Sequence, residues 1–149
     1  EQHDQELAQL NQIFGVMNYK QAEKLMERFI PKHSFGHYAR AAAVWDLGHF
    51  FADQPENPYP ERLAQRLADN NPFDPELPFV RRQCAIALAR MRASSQLQVL
   101  RLFYDLEDRS VDVGSSTRWA IMYITGEELP PQDPLRKGLP QFFLEPVPQ

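Results

Sequence analysis

Val80-Arg81-Arg82-Gln83-Cys84-Ala85-Ile86-Ala87-Leu88-Ala89-Arg90-Met91 is the stretch whose reading decides the fold. It opens on a valine and an arginine, carries small residues through its middle, and closes on large, small, variable, large. Ala85, Ala87 and Ala89 favour helix and let a neighbouring helix axis come close. The closing pattern recurs: Phe14-Gly15-Val16-Met17 and Leu47-Gly48-His49-Phe50 match Leu88-Ala89-Arg90-Met91. The opening recurs too, with Ala39-Arg40 before Val80-Arg81 and Thr117-Arg118 after it, which spaces the arginines 41 and 37 residues apart. Leu25, Met26 and Phe29 fall opposite Val99, Leu100 and Phe103, and Leu67-Ala68-Asp69 opposite Leu106-Glu107-Asp108. The unit is a helix pair of roughly 40 residues.

Working outward, the periodicity predicts helices and almost no strands. Leu7, Leu10, Ile13, Phe14 and Met17 recur at three- and four-residue steps, the spacing of one helical stripe. Ala22, Leu25, Met26, Phe29 and Ile30 mark a second helix that stops at Pro31. Further helices are expected over residues 37–51, 60–68, 79–91, 95–106 and 116–125, with breaks at 31–36, 54–60, 70–78, 109–115 and from Gly126 on. Each break is rich in proline, glycine, asparagine or serine, as connections between helices are. The expected architecture is all-α: an α-solenoid of about three helix pairs preceded by an N-terminal half repeat, over residues 1–128. Residues 129–149 hold six prolines and cannot continue the helices. With Leu139, Phe142, Phe143 and Leu144 they are expected to fold back onto the last repeat.

The segment 80–91, together with Arg40 to Phe50 and the looser Arg118-Trp119-Ala120-Ile121-Met122-Tyr123-Ile124-Thr125-Gly126, resembles the bacterial HEAT-like repeat first catalogued in phycobilisome bilin lyases. The last member lacks the Leu-Gly pair. The resemblance covers about residues 13–126. It implies fold far more than activity, because this repeat serves lyases, scaffolds and regulatory proteins alike. An array opening on a second helix leaves that helix's face for another domain or subunit, so self-association through the N-terminal half repeat is one expectation. A chain beginning with Glu1 is also expected to be a processed form or part of something longer.

Composition narrows the functions. The 149 residues carry a formal charge of −4, so the backbone of a nucleic acid would meet net repulsion and nucleic acid is an unlikely partner. No stretch has the 18 to 20 apolar residues that a membrane-spanning helix needs, at roughly 1.5 Å of rise per residue. The single cysteine, Cys84, makes no intramolecular disulfide and aligns with Ala43, a packing position; the compartment stays open, with the cytoplasm a first expectation.

The sites are sparse. His33 and His37 stand four apart, but Gly36 lies between them at a helix start and no cysteine or carboxylate completes a zinc set, so no metal or cofactor is expected. No glycine-rich phosphate loop or serine elbow is present, and no catalytic residue is assigned. Trp45 and Trp119 invite comparison with HEAT-like DNA glycosylases, which set aromatic side chains and an acid in a concave cleft. Trp45, however, aligns with the apolar Ile86 and Tyr123 and is expected in the core. Arg40, Arg81 and Arg118 are expected to form a ladder, bridging to loop carbonyls or to Asp69, Asp74, Asp108 and Asp112; a groove for an anionic ligand is the alternative. The expected function is non-catalytic protein recognition or scaffolding, through a surface drawn from His37, Arg40, His49, Arg82 and Arg90. A subunit of a bilin-lyase-like enzyme handling a tetrapyrrole is the alternative, and HEAT-like DNA repair a disfavoured third.

Overall fold

The computed structural model describes residues 1–106 and 111–130. Among them the chain forms seven α-helices and no strand: α1 (Gln2–Val16), α2 (Glu23–Glu27), α3 (His37–Phe50), α4 (Pro60–Leu67), α5 (Pro78–Arg90), α6 (Leu97–Leu106) and α7 (Val111–Thr125). The chain is all-α, and no described helix is long and apolar enough to cross a membrane.

Packing follows chain order. α1 rests on α3, α3 on α5 and α5 on α7, while the shorter α2, α4 and α6 pack on α3, α5 and α7. One continuous core of Met26, Leu47, Phe50, Tyr59, Leu63, Leu67, Leu88, Met91, Leu100 and Ile121 fills the space between the two sets. α4 is amphipathic, burying Leu63, Ala64 and Leu67, whereas α3 and α5 bury nearly every residue and have no polar face.

Two glycines set the approach distance along the row. A Cβ on Gly15 would lie 2.5 Å from the Trp45 ring and 2.2 Å from Asp46 Oδ1, and one on Gly48 would lie 2.9 Å from the backbone of Ala87. The small residue of the repeated closing pattern is therefore the point where one row helix touches the next.

Other ties cross between layers. Asp4, on α1, accepts hydrogen bonds from the backbone N–H groups of Tyr38 and Ala39 at 2.9 Å each. It caps α3 from a different helix, supplying acceptors and negative charge where the helix end is positive. The Tyr59 hydroxyl donates to Glu23 at 2.6 Å and Arg62 pairs with Glu27 at 2.7 Å, which joins α2 to α4. At the opposite end Arg92 donates to Asp53 at 2.7 Å and to the Tyr123 carbonyl at 3.1 Å, with its guanidinium over the Tyr123 ring.

The repeat frame needs one correction. α3, α5 and α7 begin at His37, Pro78 and Val111, 41 and 33 residues apart. Counted from those starts, Ala39, Val80 and Val113 are equivalent, as are Ala43, Cys84 and Thr117, and Leu47, Leu88 and Ile121; all nine are fully buried. Arg40 and Arg81 share the fourth position, but Arg118 is the eighth residue of α7, one turn further along, and Gly114 takes the fourth. The equivalent of Trp45 and Ile86 is then Trp119, not Tyr123. The shift arises because α7 starts five residues earlier than expected: Val113, Ser116 and Thr117 are buried in a helix packed on α5, and the two hydroxyls are satisfied there by the carbonyls of Val113 and Gly114. The second expected helix is shorter than predicted, a 3-10 turn at Lys20–Ala22 followed by α2 ending at Glu27. Leu129 packs against the core and its carbonyl accepts from Arg118; the expected fold-back of Leu139, Phe142, Phe143 and Leu144 lies outside the described residues.

Candidate functional site

Two groups of the polar side chains held inside the protein bear on a site. The first is at the helix starts. Arg40, in the first turn of α3, donates from Nε to Glu76 Oε2 at 2.7 Å and from Nη2 to Oε1 at 2.9 Å, and its third nitrogen donates to the Phe35 carbonyl at 3.0 Å. Both residues are buried, 5% and 2% exposed. Glu76 also accepts from the Leu77 N–H at 3.0 Å, placing its charge at the start of α5. Arg81, one layer on, donates to the Leu67 carbonyl at 2.7 Å and lies over the Phe103 ring. Arg118 instead reaches the carbonyls of Leu129 and Pro130, which follow its own helix.

Arg40 and Arg81 thus hold equivalent helix positions with different partners, one a carboxylate and the other a carbonyl, and Arg118 lies out of that register. The carboxylate on Arg40 is Glu76 rather than an aspartate: Asp69 and Asp74 are held by Lys32, Asp74 also by His33 at 3.0 Å, and Asp108 lies outside the described residues. Asp112 is buried at the start of α7. The cleft bounded by Lys32, His33, Gly36, His37 and Glu76 is consequently neutralised from within, each of its main charges already paired.

The second place is the middle of α3. Trp45 is buried, and its ring meets that of His49 edge-on at 4.2 Å. Asp46, between α3 and α1, is completely buried, and neither of its oxygens has a hydrogen-bond partner; nor do Trp45 Nε1 and His49 Nε2. Burial pushes the Asp46 carboxyl up to about 8. Burial, reinforced by the nearby Arg90 charge, brings the His49 imidazole down to about 4. At neutral pH the protein therefore holds an uncharged acid and an uncharged imidazole one helical turn apart. Gly15 lies against the acid with no room for a further carbon, so the carboxyl is packed into a helix contact and not presented to a substrate.

Of the five residues assigned to the interaction surface, Arg40 and Arg90 are buried, and His37, His49 and Arg82 are half-buried. His37 forms an aromatic group with Tyr38 and Phe79 at the starts of α3 and α5. Arg40 is a strut of the fold, since its guanidinium is fully engaged. Cys84 is buried, and burial raises its thiol pKa, which makes it a packing residue. Among the described residues no three histidines, cysteines or carboxylates gather to hold a metal ion. Sequence reasoning passed over Glu76, Asp46 and Asp4. Asp46 carried a usable signal, as the one acid in the apolar run Ala41-Ala42-Ala43-Val44-Trp45-Asp46-Leu47. No family model, curated protein or solved structure matches the chain.

Proposed function

We propose that the chain is a non-catalytic protein-recognition module built as a short α-solenoid of HEAT-like helix pairs. The observation that carries this reading is the order of packing, in which each row helix touches the next in sequence and each short helix backs its own row helix. That order belongs to arrays whose product is an extended surface. The recurrence of the buried third, seventh and eleventh positions, and of the arginine at the fourth in α3 and α5, supports the same reading. The surface offered to a partner is the edge carrying His37, Tyr38, Phe79 and Arg82, where aromatic rings and a cation stand together, a composition enriched in protein interfaces.

The test uses the full chain as bait in an extract of its source organism, followed by direct titration of any captured protein. Saturable binding that Arg82→Glu abolishes, while the helical circular dichroism stays unchanged, is the expected result. Binding indifferent to that change overturns the assignment of the edge, and tetrapyrrole absorbance travelling with the protein overturns the non-catalytic reading.

A further inference from the structure

α1 is held to the protein by less than the other row helices are. It buries Ala8, Asn11 and Gly15, two small residues and an amide, while Leu10, Ile13 and Val16 stand more than half exposed. Ala8 belongs with Ala41, Ala42, Trp45 and Val80 to a cluster apart from the main core, which α1 reaches only through the half-buried Phe14. The remaining ties are polar: Asp4 on the Tyr38 and Ala39 amides, and Asn11 donating to the Ala39 carbonyl at 3.3 Å. Past Val16 the chain leaves the helix at Asn18, where φ is +50°, and residues 17–21 are all exposed, so a rotation there uncovers nothing of their own.

A carboxyl stands at the closest point of this contact. Asp46 is the tenth residue of α3 and Ala87 the tenth of α5; Gly15 meets the first as Gly48 meets the second. One row contact thus carries an acid where the next carries a methyl, and no hydrogen bond within the chain reaches either acid oxygen. A carboxylate is costly in such a place, so Asp46 is docked as the neutral acid and ionises when α1 leaves. No ionisable group on the surrounding elements pairs with it. On α3, His49 is neutral and lies near Arg90 of α5, while His37, Arg40, Arg81 and Arg82 stand toward the helix starts. On α1, His3, Asp4 and Glu6 lie in the first two turns, and Tyr19 beyond its end stacks on Phe14. On α2, Glu23 is bonded to Tyr59, and Glu27 to Lys24 and Arg62.

We propose that α1 is a cover that swings off α3 as a unit about residues 17–21, with the Asp46 carboxyl as its latch. Protonated, the acid stays packed under Gly15; ionised, it draws water, α1 comes away and Trp45 is bared. Docking therefore binds one proton, and release becomes easier as pH rises. The device belongs to the helix row itself and does not depend on what the other edge binds.

Hydrogen exchange of the full chain in low urea tests this, with rates corrected for the intrinsic effect of pH. The α1 amides should exchange through an opening that low urea hardly changes and that the α5 amides do not share. His49 is neutral above pH 6.5 whether α1 is docked or not, and docked Asp46 titrates near pH 8. Between those two values α1 protection should fall about tenfold or more, the effect of one proton released on opening. Asp46→Asn should abolish that fall. Gly15→Leu has no room against Asp46 and the Trp45 ring and should hold the cover open. In a Trp119→Phe background iodide should then quench Trp45 readily while the α5 amides stay protected. Equal protection and equal urea dependence in α1 and α5 overturn the proposal. So do α1 protection that ignores pH, a fall that persists in Asp46→Asn, and a Gly15→Leu chain that unfolds throughout.

Discussion

Arg40 holds Glu76 through two parallel hydrogen bonds of 2.7 and 2.9 Å, joining the first turn of α3 to the loop that starts α5. The pair lies out of water, so the attraction is weakly screened; removing Glu76 leaves the Arg40 charge buried with only the Phe35 carbonyl, and removing Arg40 leaves Glu76 with only the more distant Arg66, 3.7 Å away. Arg40→Met or Glu76→Leu should each cost about 3–5 kcal/mol in urea unfolding. The double variant Arg40→Met, Glu76→Leu should recover most of that loss. Full additivity of the two single changes would show that the residues do not act as a pair.

Asp4 caps a helix that begins 33 residues after it. Asp4→Ala should lower stability by about 0.5–2 kcal/mol, the range for losing a capping side chain, and Asp4→Asn by less. Thermal melting of the three proteins at equal pH checks the order.

Gly48 allows α3 to touch the backbone of α5. In an open helix, glycine to alanine stabilises; here the added methyl meets Ala87, which is main chain and its Cβ and cannot swing aside. Gly48→Ala should therefore destabilise by about 1–3 kcal/mol despite its better helix propensity. A gain in melting temperature would contradict the packing described.

The buried acid and imidazole of α3 give stability a worked pH dependence. Asp46 has a folded pKa near 8 against an ordinary value of 3.8, so the unfolded chain gives up its proton first and stability falls as pH rises toward 8. His49, lowered to about 4 from 6.5, acts the other way, its contribution being full above 6.5 and lost as pH drops toward 4. Between about 4 and 6.5 the two oppose each other. From 6.5 to 8 Asp46 acts alone and should lower stability by about 2 kcal/mol. Asp46→Asn should flatten that fall and be the more stable protein at pH 8, as urea midpoints across the range would show.

Replacing Trp45 by alanine should cost about 3–5 kcal/mol through lost contact with α1 and the cavity left behind. Iodide should quench the fluorescence of a Trp119→Phe variant, which keeps Trp45 alone, only weakly. Ready quenching with an unchanged melting point would place the indole in a site rather than in the core.

How far these features could be read beforehand depended on whether their cause was local. Helices α3, α4 and α5 were legible almost to the residue, because alanines, a first-turn proline and flanking Pro/Asn-rich breaks are short-range signals. The start of α7 was not, because Gly114, Ser115 and Ser116 have loop-like propensities and are helical where α7 packs on α5, the two serine hydroxyls donating to the carbonyls of Asp112 and Val113. The same displacement carried Arg118 out of register. Arg40 was visible as a recurring residue, but its partner was chosen wrongly. Asp69 and Asp74 were as close in sequence as Glu76, and only the folded loop shows that Lys32 takes both of them.

The chain-ordered packing of α1 on α3, α3 on α5 and α5 on α7 also bears on how the molecule forms. Successive row helices start no more than 41 residues apart, so few of the principal contacts require distant parts of the chain to find one another. Such a chain pays little loop-closure entropy before contact is rewarded, and folding should be fast for its length. Its unfolding should be graded, starting at α1, which packs on α3 alone, whereas α7 at the other end of the row is also backed by α6. In amide hydrogen exchange the amides of α1 should open first, while those of α5, clasped between α3 and α7 and backed by α4, should exchange only when the whole protein unfolds.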